Sequence, residues 1–106
     1  MKELESALSL INKEINYYSE ILKNLNSKLT ELTVMAHDLA VDYANNVFTE
    51  EATSIGNKSE AVGEAIAKLE REINVIEAKM NALYKSKANV NGFISEYSKE
   101  ETPKAK

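Results

Sequence analysis

LESALSLINKEINYYSEILKNLNSKLTELTVMAHDLAVDY, residues 4–43, contains neither Gly nor Pro. Its apolar side chains run from Leu4 through Leu8, Ile11, Ile15, Tyr18, Leu22, Leu25, Leu29, Leu32, Ala36 and Leu39 to Tyr43, in steps that alternate four and three. A straight α-helix repeats about every 3.6 residues, so a stripe that repeats about every 3.5 stays in register only if the helix supercoils left-handedly around a partner. The spacing therefore predicts a coiled-coil helix over about residues 3–46. With Leu8 at heptad position a, the d positions are Leu4, Ile11, Tyr18, Leu25, Leu32 and Leu39.

The pattern returns from Val62 through Ile66, Leu69, Ile73, Ile76, Met80, Leu83, Lys87, Val90 and Ile94 to Tyr97, which predicts a second helix over about 58–98. Between them, NNVFTEEATSIGN offers Thr49, Ser54, Asn57 or Ser59 as helix starts and Gly56 as a residue free to adopt positive φ. The turn is placed over about 47–57. Asn91-Gly92 offers an alternative end to the second helix, leaving FISEYSKE (93–100) as a separate short one. Residues 99–106, with Pro103 among lysines and alanine, read as a flexible tail.

Two helices of similar length joined by a short link hide their stripes against each other, so the expected fold is all-α, a single-domain antiparallel helical hairpin. Both stripes are wider than two heptad positions. Leu10, Tyr17, Ile21 and Met35 flank the first seam, with Val34 and Val41 further round, and Tyr84 and Phe93 flank the second. A wide stripe is what a four-helix bundle requires, and pairing of two hairpins as a homodimer is the expected use. A groove for a different helical protein partner is the alternative. Lys87 occupies an a position; with a turn near residue 52 it falls opposite Glu14–Tyr18, where its stem covers apolar surface and one polar seam residue disfavours slipped pairings.

The 106 residues include 13 Lys or Arg against 17 Asp or Glu, a net charge of -4, and the pI is near 5.1. That balance lacks the basic footprint of a nucleic-acid binder. The absence of cysteine removes disulfides, thiolate metal sites and Cys nucleophiles together. Glu3 and Glu5 interrupt the apolar N-terminal residues, so no signal peptide is read, and no apolar run is long enough to span a bilayer. A cytoplasmic protein is expected, with signal-peptide-independent secretion left open. Arg71 is the single arginine and His37 the single histidine, so neither a bidentate arginine clamp nor a histidine-rich metal site can be assembled within one chain. No Gly-rich loop or catalytic triad pattern is present. The reading is a non-enzymatic protein without cofactor, acting as an adaptor, a regulator or a secretion partner through its coiled-coil surface.

Two family resemblances bear on that reading. Ala36-His37-Asp38-Leu39 resembles the histidine-phosphotransfer domains, whose phosphoacceptor His projects from a four-helix bundle; the resemblance implies a signalling role for His37. In that family a Lys and a Gly follow, whereas Ala40 and Val41 stand here and Asp38 and Asp42 would repel a phosphoryl group. The chain length, the hairpin and Ser54-Ile55-Gly56 near the turn resemble the Trp-x-Gly family of type VII secretion substrates and their partner hairpins. Members pair as hairpins and carry a C-terminal Tyr-x-x-x-acid export element, which implies that role for Tyr97 and Glu101 of Tyr97-Ser98-Lys99-Glu100-Glu101. The family's Trp is absent, with Ser54 or Ile55 in its place.

Overall fold

The computed structural model of the chain describes the backbone of residues 2–101 and the side chains of residues 2–97. Helix α1 spans Lys2–Asn45 and helix α2 spans Ala52–Glu101, with no strand among the described residues. Together they form a helical hairpin. The start of α1 carries Glu3 and Glu5 in its first turn, where carboxylates meet the positive end of the helix dipole.

At its other end, α1 is closed by Asn46. The Asn46 side-chain amide donates to the Asp42 carbonyl at 2.8 Å and its backbone N–H donates to the Tyr43 carbonyl at 3.1 Å. Two carbonyls that a helix end leaves without partners are satisfied in this way, with no left-handed residue. The Asn46 carbonyl then accepts the backbone N–H of Thr49 at 2.9 Å and its hydroxyl at 2.7 Å. Thr49 in turn accepts the Ala52 N–H at 3.3 Å, and the first turn of α2 is under way where Ile55 N–H donates to Glu51 at 3.0 Å.

The connection is therefore residues 46–51, shorter than the expected 47–57, and α2 begins at Ala52 rather than near 58. The reason lies in the seam, which continues backwards from Val62 through Ser59, Ile55 and Ala52 in the same three-and-four steps. All three are half-buried, but two are too small or polar to stand out as seam residues. Among the described residues none, glycine included, has positive φ. Gly56 is helical, and the Cε2 atom of Tyr43 lies 3.7 Å from where its Cβ would be. Nor does Gly92 end the helix: α2 runs unbroken through it to Glu101, so FISEYSKE is not a separate helix and residues 99–101 are helical. The remainder of the expected tail, 102–106, lies outside the described residues.

The chain divides into two compact units. In the unit of Leu22–Val75, Leu25 and Leu32 meet Ala65 and Leu69, while Ala40 and Tyr43 meet Gly56 and Ser59. Within the unit of Met1–Ile21 and Ile76–Lys106, Glu14 and Tyr18 meet Lys79, Leu83 and Ser86. Both pairings run antiparallel. Among the described residues the buried ones are Ile15, Val62, Leu69, Ile73 and Met80, all on the seam, and none is polar. Every expected seam residue from Leu4 to Leu39 and from Val62 to Ile94 is buried or half-buried. Tyr43 and Tyr97, expected at the seam ends, are instead exposed.

Gly63 and Gly92 sit inside α2 with ordinary helical φ and nothing within 4 Å of an added Cβ. A helix-interior glycine costs about 0.5–1 kcal/mol relative to alanine. Gly63→Ala and Gly92→Ala are each expected to raise stability by about that amount in urea unfolding. A drop in stability for Gly92→Ala would show that the helix is broken there.

Candidate interaction surface

The heptad register sorts the off-seam residues by face. On α1, Ala7, Leu10, Glu14, Tyr17 and Ile21 follow one another in the same three-and-four steps and form one stripe beside the seam. The other flank of this part of α1 carries Ser9, Asn12, Asn16 and Ser19. One side of the helix is thus apolar and the other polar, an asymmetry that the seam does not require.

The groove lined by Glu14, Tyr18, Lys79, Ala82, Leu83 and Ser86 identifies which flank of α2 lies on the same side. Phe93 is seven residues beyond Ser86, two helical turns along the same face. Leu10, Tyr17, Ile21 and Phe93 therefore share one side of this unit. Leu10, Tyr17 and Phe93 are 61%, 63% and 58% exposed; Ile21 is half-buried. Tyr84 is also exposed, but it stands two residues from Ser86, roughly 200° round the helix, and faces the opposite side. Met35 is exposed and belongs to the other unit. Of the six residues expected to form one surface, four fall on one side of one unit, spaced along it.

Within this face, the rings of Tyr17 and Tyr18 meet edge to face, 5.3 Å between centroids and 67° between planes. Lys79 Nζ lies 5.5 Å from the centroid of the Tyr18 ring. Tyr18 is thereby held between an aromatic edge and a cation, contacts worth about 0.5–1 kcal/mol each at such sites. Tyr17 is positioned by the same contact and keeps its outer face free.

Lys87 is half-buried in the seam, as its register position implies. It forms no ion pair with Glu14, which instead lines the groove with Lys79 and Ser86. An earlier turn moves every α2 residue opposite an earlier part of α1, so Lys79 and Leu83 take the place opposite Glu14 and Tyr18 and Lys87 lies beyond it. The one contact between acidic and basic side chains among the described residues is His37 Nδ1 to Asp38 Oδ1 at 3.6 Å, with both groups well exposed. An aspartate beside His37 opposes the arrival of a phosphoryl group. Among the described residues no three His, Asp or Glu side chains gather as a metal site, and no helix is long and apolar enough to cross a membrane. Tyr97 is exposed on α2, while the side chain of Glu101 lies outside the described residues.

One feature of the surface was not singled out from sequence. Phe48, at the tip of the hairpin, is 99% exposed, and Val47 beside it is exposed as well. The signal was present in NNVFTEE, two large apolar residues inside a turn that otherwise calls for polar ones. Comparison of the chain with protein-family models, with curated proteins and with solved structures finds no match.

The distinction between seam and surface is measurable. Ile73, 8% exposed, cannot be replaced by an ionised group without leaving a buried charge unpaired, so Ile73→Asp is expected to cost about 3 kcal/mol or more in denaturant unfolding. His37→Gln, on an exposed face, is expected to stay within about 0.5 kcal/mol of the parent.

Proposed function

We propose that the protein works by binding helices rather than by catalysis, and that it pairs with a second copy of itself into a four-helix bundle. The observation that carries this reading is the gathering of Leu10, Tyr17, Ile21 and Phe93 on one side of a hairpin unit, with a shallow groove beside them. The chain exposes 7997 Å², against roughly 5,900 Å² for a compact protein of its mass. A second hairpin laid on this face would remove apolar surface from water at about 25 cal/mol per Å², and no charge on the α1 stripe other than Glu14 would need to be desolvated. In this reading the protein is an adaptor or regulator of the cytoplasm.

Sedimentation equilibrium is expected to return a dimer at tens of micromolar, about the concentration at which a modest helical interface is populated. Leu10→Asp and Tyr17→Asp should each shift it to monomer while leaving helicity by circular dichroism unchanged. A monomeric parent chain would refute the pairing and favour a groove for a different helix.

A second reading, that the hairpin is a type VII-like secreted protein or its chaperone partner, is supported by the exposure of Tyr97 on the face of an unbroken helix. Tyr97 and Glu101 are four residues apart and so on one helical face. In this reading Tyr97→Ala abolishes export while the protein accumulates, folded, in the cell. Export that persists in the variant would remove the reading.

A further inference from the structure

We propose that the hairpin tip is a second docking point, distinct from the flank that pairs hairpins, and that its occupant is a basic amphipathic segment: an apolar stripe bordered by Lys or Arg. The side chain that enters the stripe is Phe48.

Three observations lead there. First, Phe48 is 99% exposed and has Val47 as an exposed neighbour. A phenylalanine is among the side chains with the most apolar area to bury, and one that is wholly solvated contributes nothing to the hairpin itself. Aromatic side chains that anchor an interface are of this kind. Second, the residue is held rather than loose. Hydrogen bonds from Asn46 to Asp42 and Tyr43, from Thr49 to Asn46 and from Ala52 to Thr49 close the backbone on both sides of it. An anchor fixed in advance loses little freedom on binding.

The third observation selects the occupant. Between Lys28 and Lys58 the chain carries Glu31, Asp38, Asp42, Glu50 and Glu51 and not one Lys or Arg. That stretch holds more negative charge than the net -4 of the whole protein, so the remainder is slightly basic and the tip region is strongly acidic. Glu50 and Glu51 follow Phe48 almost directly. An anionic membrane surface or a nucleic acid is repelled by such a tip, and so is a second copy of the same tip. A basic surface is attracted to it. The shallow groove on one side of this end, floored by Ala40, Tyr43 and Gly56 and edged by Glu60, continues the same combination of small apolar surface and acidic rim.

The test uses a fluorescently labelled amphipathic helix made of Lys and Leu, with its Glu and Leu counterpart as control, titrated against the full chain by anisotropy. The Lys/Leu peptide is expected to bind and the Glu/Leu peptide not to. Phe48→Ser, a change at a fully exposed turn position, is expected to weaken binding about tenfold or more while sedimentation and circular dichroism stay as in the parent. Glu50→Lys with Glu51→Lys should weaken it to a similar degree with Phe48 intact. Leu10→Asp, which addresses the pairing flank, should leave peptide affinity unchanged, so the failure of one proposal is distinguishable from failure of the other. Undiminished binding by Phe48→Ser, or binding of the Glu/Leu peptide, would overturn the inference. So would the loss of self-association in Phe48→Ser, which would make a second copy the occupant. Phe48-dependent binding to phosphatidylcholine vesicles, which would make it a lipid surface, would likewise overturn it.

Discussion

The hairpin depends on the burial of one stripe of side chains spaced three and four residues apart. Ile15, Val62, Leu69, Ile73 and Met80 are its most buried members, and among the described residues no polar side chain is buried with them. No ion pair joins α1 to α2 among the described residues. Cohesion between the helices is therefore apolar contact along the seam, helped at Tyr18 by the ammonium of Lys79. Register therefore rests on the shapes of the seam residues, on the half-buried Lys87 among them and on the contact of Lys79 with Tyr18.

The seam was legible because a mean step of about 3.5 is a property of the residue order alone. Both long helices, their pairing and nearly every core residue could be read from it. What could not be read was the exact site of the turn. Asn46 closes α1 with its side-chain amide and its backbone N–H, a solution open to many polar residues in NNVFTEEATSIGN. Gly56, the residue with the most freedom, is spent inside a helix under the Tyr43 ring. Where seam positions are held by Ala52 and Ser59, small side chains let the helices approach closely but give hydropathy patterning little to detect. The flanking surface was half legible: the sequence marks which apolar residues lie off the seam, but assigning Tyr84 to one side and Phe93 to the other requires the register of α2 against α1.

Function was legible only as a class. In the proposed reading, an apolar flank beside a polar one and an acidic tip bearing a solvated phenylalanine are both surfaces for contact with other chains. The two differ in chemistry, one an apolar stripe and the other an aromatic ring among carboxylates.

The six-residue connection also has a kinetic meaning. Tyr43 and Gly56 meet across a short stretch of chain, Leu32 and Ala65 across a longer one, and Tyr18 and Lys79 across most of the sequence. The entropy lost in closing a loop rises with the logarithm of its length, but once the helices have met near the turn, each further pair is already close. Loop-closure entropy therefore favours contact near the turn before contact at the helix ends. Residues nearest the turn are therefore expected to weigh most on the folding rate, and the amide hydrogens of the open end to exchange soonest with water.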